Sequence, residues 1–158
     1  MAERIIPVSG YSVPFWIAGK EHHPTKHFDV ISPTTGQVIH TCGGASPDDA
    51  SRAVEAAAEA LKSWRTVTPQ KRRDIFLRAA EVMERRREEL AGYMVAETGA
   101  APPFVAFNLT TAVDILKDVA GRIATIEGMV PGTNDEQLGA LVLKEPYGVI
   151  LGIAPWYG

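Results

Sequence analysis

The 158 residues are 46% hydrophobic and 22% charged with a net charge of -3, a balance that fits a folded globule and offers no basic stripe for nucleic acid. No apolar run approaches the length of a membrane span, residues 1–10 lack an apolar signal core, and one cysteine excludes an internal disulfide framework. One domain of ordinary size in a reducing compartment is implied, with the cytoplasm the expected location.

The first 45 residues read as an extended arm. Gly19-Lys20 punctuates one pair of short segments. Thr34-Thr35-Gly36 after Ser32-Pro33 is a turn, flanked by Phe28, Val30, Ile31 and by Val38, Ile39, all strand-favouring. The period then changes. Ser46-Pro47-Asp48-Asp49 supplies an N-cap, a proline at the first helical position and acids in the first turn. Ala50, Ala53, Val54, Ala57, Leu61 and Trp64 follow at helical spacing. Thr68-Pro69 opens a second helix, expected to run unbroken to Gly99, with Ile75, Phe76, Ala79, Val82, Met83, Leu90, Tyr93 and Met94 inward. The arginine-rich centre of that helix predicts Glu81/Arg85 and Arg85/Glu89 pairs on a solvated face, each contributing about 0.2–0.5 kcal/mol.

Pro102-Pro103 reads as a break. A third helix is expected from about Phe104 to Ile126, with Val105, Leu109, Ala112, Val113, Leu116, Ala120 and Ile123 inward. A polar Gly/Pro loop follows, then a short strand over residues 140–144. Val149, Ile150 and Leu151 form a β-branched and apolar run of the kind buried on both faces in a parallel sheet. Such a strand needs neighbours for its backbone groups, and no neighbouring strand follows it in this sequence.

Chemistry is sparse. His22, His23, His27, His40 and Cys42 use residue types that zinc accepts, but their spacing matches no closed zinc pattern, and no metal site is expected. Cys42 is the only thiol, with His40 two residues away on the same face of a strand; a small residue before the Gly43-Gly44 turn is the favoured reading over a nucleophile. No phosphate-binding glycine motif is present. Open α/β sheets bind ligands outside the carboxyl ends of their strands. Position therefore makes Ile153, Ala154, Pro155 and Trp156 the candidate cofactor edge, with a Pro-Trp corner closing a core as the alternative.

The segment EPYGVILGIAPW (145–156) resembles the stretch that opens the cofactor-binding part of the aldehyde dehydrogenase superfamily, in the pattern P-x-G-V-x-x-x-I-x-P-W-N. FWIAGKE and FDVISPTTGQVI resemble that family's N-terminal arm, and the run from Ala60 to Gly99, ending in E-T-G, resembles its paired helices. DVAGRIATIEG and ALVLKEPYGVILGIAPW look most like the salicylaldehyde- and vanillin-type members. The resemblance implies an α/β fold in which this chain supplies the arm, the helices and the first strand of the Rossmann-like cofactor domain, truncated thereafter. Residues 1–45 would be the arm, 46–126 three helices, 127–146 the start of the oligomerisation arm, and 147–158 the first cofactor-sheet strand.

The implied reaction is NAD- or NADP-dependent oxidation of an aromatic aldehyde to its acid. A cysteine thiolate attacks the carbonyl, hydride leaves to the cofactor, a glutamate activates water, and the asparagine of P-W-N helps hold the oxyanion. Tyr157 stands in place of that asparagine. By the resemblance, the catalytic cysteine and glutamate lie downstream of Gly158, and Cys42 does not match the catalytic position. A catalytically inactive N-terminal fragment is therefore expected. The alternative is a non-catalytic chain that pairs with itself or with a full-length relative through an exposed strand edge.

Overall fold

The structure, a computed structural model, describes residues 12–154. In chain order these form β1 (Ser12–Val13), β2 (Phe15–Ile17), β3 (Lys20–His22), β4 (His27–Ile31), β5 (Val38–Gly43), α1 (Pro47–Trp64), α2 (Pro69–Arg85), α3 (Arg87–Thr98) and α4 (Pro102–Ile123). The arm is built from two small sheets. β2 and β3 form an antiparallel hairpin in which Phe15 opposes and stacks on His22 at 5.7 Å. β4 and β5 form a second hairpin with a bulge between Val30 and Ile31, and β1 joins the far side of β5 in parallel. The turn between β4 and β5 hangs on buried Ser32, whose N–H donates to Gln37 O and whose carbonyl accepts from Gly36 N–H.

Local signals define the helix starts. Ser46 Oγ accepts from the N–H of Asp49, and the Asp49 carboxylate accepts from the N–H of Ser46, closing a capping box at α1. Those bonds, backbone first and then the Ser46 hydroxyl and Arg52, hold the Asp49 carboxyl down at about 2. A carboxylate depressed in the fold stabilises above its unfolded value and stops doing so as pH falls through the folded one. The cap therefore persists through the mildly acidic range. At α2 the Thr68 hydroxyl accepts from the N–H of Lys71, a side-chain cap without the reciprocal carboxylate.

Two features depart from the sequence reading. The predicted second helix is two helices, joined at Arg86 with φ -99 and ψ 15, in the sparsely allowed bridge region. The break redirects the ion pairs. Arg86 forks onto Glu89, and Arg87 forks onto Glu84 while also donating to Thr110 on α4. Unbroken helical spacing would instead have set Glu89 against Arg85. The last helix begins at Pro102 rather than after it, because a proline at the first helical position loses only an N–H that would have been orphaned.

The core lies where α4 meets α2 and α3. Val105, Leu109, Val113 and Ala120 of α4 are buried in one stripe, with Ala80 of α2 against them. Beyond α4, the expected strand over 140–144 is reduced to one antiparallel bridge, Met129 to Val142, closed by reciprocal backbone bonds of 3.0 and 2.8 Å. Residues 149–153, expected as a buried strand, pair with no strand among the described residues, and the segment, which bends at Val149, is exposed. Among the described residues no helix is long and apolar enough to cross a membrane.

Two substitutions test this geometry. The β2–β3 turn places Ala18 at φ 53 and Gly19 at φ 74, a pairing that favours Asn-Gly. Ala18→Asn should stabilise the chain by about 1 kcal/mol, seen as a higher urea midpoint at unchanged slope. At Gly128 an added Cβ would run into the carbonyl oxygen of Val142. Gly128→Ala should open the bridge, with faster amide exchange at Met129 and Val142 and no change in α4.

Candidate functional site

The candidate cofactor edge is only half within the described residues. Ile153 is 83% exposed and Ala154 is exposed, outside any helix or strand, while Pro155 and Trp156 lie outside the described span. A ligand edge at a strand's carboxyl end is formed with a second strand or a helix N-terminus facing it, and among the described residues this segment pairs with no strand.

The histidines do not converge. His22 stacks on Phe15, His23 lies 3.6 Å from Glu21, and His27 meets Ser12 Oγ at 3.0 Å. Among the described residues no group of three or more histidine, cysteine or acidic side chains could hold a metal.

His40 and Cys42 share a junction that the structure assembles across elements. The His40 side chain is 10% exposed, and its Nε2 meets Glu97 Oε1 at 3.1 Å, tying β5 to the end of α3. Cys42 sits two residues further along the same strand. Burial pushes its thiol up, and the Glu97 carboxylate pushes it further. A nucleophilic cysteine needs the opposite, a depressed value from a cation or helix N-terminus. The junction is therefore structural, and its thiol stays protonated at neutral pH.

The E-T-G run that ends α3 finds its use here. Glu97 reaches His40. The Thr98 hydroxyl donates to Met94 O at 2.5 Å and accepts from the N–H of Ala100. Gly99 turns the chain at φ 67, where an added Cβ would lie 3.1 Å from the Pro33 ring and 3.2 Å from Thr34 Oγ1. The helix end thus docks on the β4–β5 turn.

One further concavity, of about 240 Å³, lies between α3 and α4 and is lined by Ala91, Val95, Pro102, Val105, Ala106 and Leu109, with Arg87 and Glu88 at one end. Its walls are almost wholly apolar and offer little to orient a substrate.

The profile described as "Aldehyde dehydrogenase family" matches residues 16–157. The chain belongs to the aldehyde dehydrogenase family. It is 37% identical over 148 residues to a vanillin dehydrogenase of Pseudomonas sp. strain HR199, covering 92% of this chain and 31% of that relative. The fold superposes on a salicylaldehyde dehydrogenase of Pseudomonas putida G7, solved with salicylaldehyde, at TM-score 0.80 and 26% identity, over 85% of this chain and 28% of the other. An NAD-dependent benzaldehyde dehydrogenase of Corynebacterium glutamicum superposes at TM-score 0.75 and 27% identity, over 81% and 28%. The chain thus spans about a third of the length of the curated relatives it matches.

The role of Glu97 was not legible from local sequence. The E-T-G run reads as a helix end, and nothing nearby says that its glutamate will find a histidine 57 positions earlier. The junction makes a chemical prediction. Alkylation of Cys42 by iodoacetamide at pH 7.5 should be slower than that of an unhindered cysteine. Glu97→Gln removes the smaller of the two causes and should speed it modestly. Fast alkylation in the parent chain would show an activated thiol instead.

Proposed function

We propose that this chain is the N-terminal part of an NAD- or NADP-dependent dehydrogenase that oxidises an aromatic aldehyde to its acid, and that it does not turn over alone. The observation that carries the reading is the 37% identity to a vanillin dehydrogenase over nearly the whole chain, joined by the likeness to salicylaldehyde and benzaldehyde dehydrogenases. In this reading Ile153, Ala154, Pro155 and Trp156 line one edge of the cofactor cleft. Residues 127–146 begin the arm through which subunits pair, and the protein works in the cytoplasm as a homo-oligomer. The chain contributes binding surface rather than the nucleophile. Its single thiol is held protonated by burial and by Glu97.

A second reading has an observation in its favour. Leu141, Leu143, Ile150, Leu151 and Ile153 are all well exposed, and Tyr147 is fully so. In this reading the chain docks through residues 138–153 on a full-length aldehyde dehydrogenase subunit and alters its activity without catalysing.

The purified chain, mixed with NAD or NADP and vanillin, salicylaldehyde or benzaldehyde, should give no reduced cofactor. Turnover abolished by Cys42→Ser would overturn the proposal and make Cys42 the nucleophile. The positive arm grafts residues 16–156 into the vanillin dehydrogenase relative in place of its own segment, with an asparagine following. That chimaera should oxidise vanillin. A second chimaera carrying Tyr157 in place of the asparagine should lose about 10²–10³ in kcat, as expected when one oxyanion donor is removed. A first chimaera that assembles like its parent yet leaves aldehyde untouched would sink the functional reading. Binding of the free chain to the relative, with a change in the relative's rate, would favour the second.

A further inference from the structure

We propose that Arg72 is a latch that holds the C-terminal end of α1 to α2, and that α1 opens as a unit of its own when the latch releases. α1 differs from the other long helices in having no buried residue. Val54 and Trp64 on its apolar face remain well exposed, and only Leu61 among its large apolar residues is mostly covered, without being fully buried. What holds α1 helical is internal. Its N-terminus carries the capping box, Arg52 pairs with Asp49, Lys62 pairs with Glu59, and alanine fills six of its positions. Alanine-rich sequence with satisfied ends and pairs three apart is the composition that supports a helix without tertiary packing.

Arg72 attaches its C-terminal end. The guanidinium donates from Nη2 to the carbonyl of Trp64 at 3.4 Å, which also accepts from the N–H of Val67, and to that of Arg65 at 3.3 Å, both at the C-terminal end of the helix. It also stacks over the Trp64 ring, 5.7 Å from the centroid. The two bonds are long, and Nε is buried with no partner. A closed latch with an unsatisfied buried donor is poised to open, because release returns that N–H to water. Opening gives up the packing of α1 on β2, while α2, α3 and α4 keep the buried stripe of Val105, Leu109, Val113 and Ala120. Local opening below the global unfolding limit is the expected behaviour of such an element.

Hydrogen exchange followed by mass spectrometry on the full 158-residue chain tests this. In the parent chain, peptides from residues 47–64 should exchange at least about tenfold faster than those from 102–123 under conditions where opening is fast. Arg72→Ala should speed exchange in 47–64 by about a further tenfold, the loss expected for bonds made by a charged donor, and leave 102–123 unchanged. Arg72→Lys keeps the charge but not the planar fork, and should fall between the two. If α1 and α4 exchange with one common protection in the parent chain, the latch does not exist as proposed. Equal acceleration of both segments in Arg72→Ala would also overturn it. Should Arg72→Ala fail to fold by circular dichroism, the parent comparison and the lysine variant still decide the question.

Discussion

The structure depends on the contact between α4 and α2. α4 is apolar on more than one face, and its buried stripe sets Val105, Leu109, Val113 and Ala120 against a neighbour that presents Ala80. Small residues at Ala80 and Ala120 let the two backbones approach closely, and each larger aliphatic group removed from water there contributes about 2 kcal/mol. α3 packs on the same helix, and the chain reaches it through Gly99 at the β4–β5 turn. The arm is therefore tied to the bundle at one corner, by Gly99 on Pro33 and by Glu97 on His40. If α4 were lost, α2 and α3 would have no common surface and the arm would lose its anchor.

What could be read in the sequence was what is decided within a few residues. The caps at Ser46 and Thr68, the helix of α1, the buried stripe of α4, the strands around Phe28 and Val38, and the left-handed stop at Gly99 stand where the residue chemistry puts them, whereas the apolar face of α1 stays largely exposed. The break at Arg86 was not legible, since neither glycine nor proline marks it. It is stabilised by Thr110 on another helix and by pairs that exist only once the break has formed. Pro102-Pro103 was read as punctuation, yet at the first turn of a helix it removes only donors that had no acceptor.

The candidate site divides along the same line. The P-W motif and its flanks carried family membership, because order and spacing of short motifs are properties of sequence alone. What Ile153 and Ala154 face is a property of other segments, and both residues are exposed. Cys42 shows the converse. A thiol two residues from a histidine is a plausible nucleophile in one dimension. In three dimensions the carboxylate of Glu97 stands beside it and the local field favours the neutral thiol.

A physical asymmetry runs along the chain. The chain exposes 12561 Å², where a compact monomer of 17.1 kDa would expose roughly 7,800 Å². Residues 126–153 are rich in exposed Val, Leu and Ile. The helical bundle is built from contacts close in sequence and can form from its own caps and stripes. The segment after α4 depends on pairing between distant backbones, and in it only the Met129–Val142 bridge is closed among the described residues. Gly128 is small because that bridge brings a carbonyl onto its Cα, so the sequence there is already shaped for strand pairing. A segment built to pair, with apolar side chains on exposed backbone, gains its stability from whatever strand or surface covers it. The bundle behind it does not share that dependence.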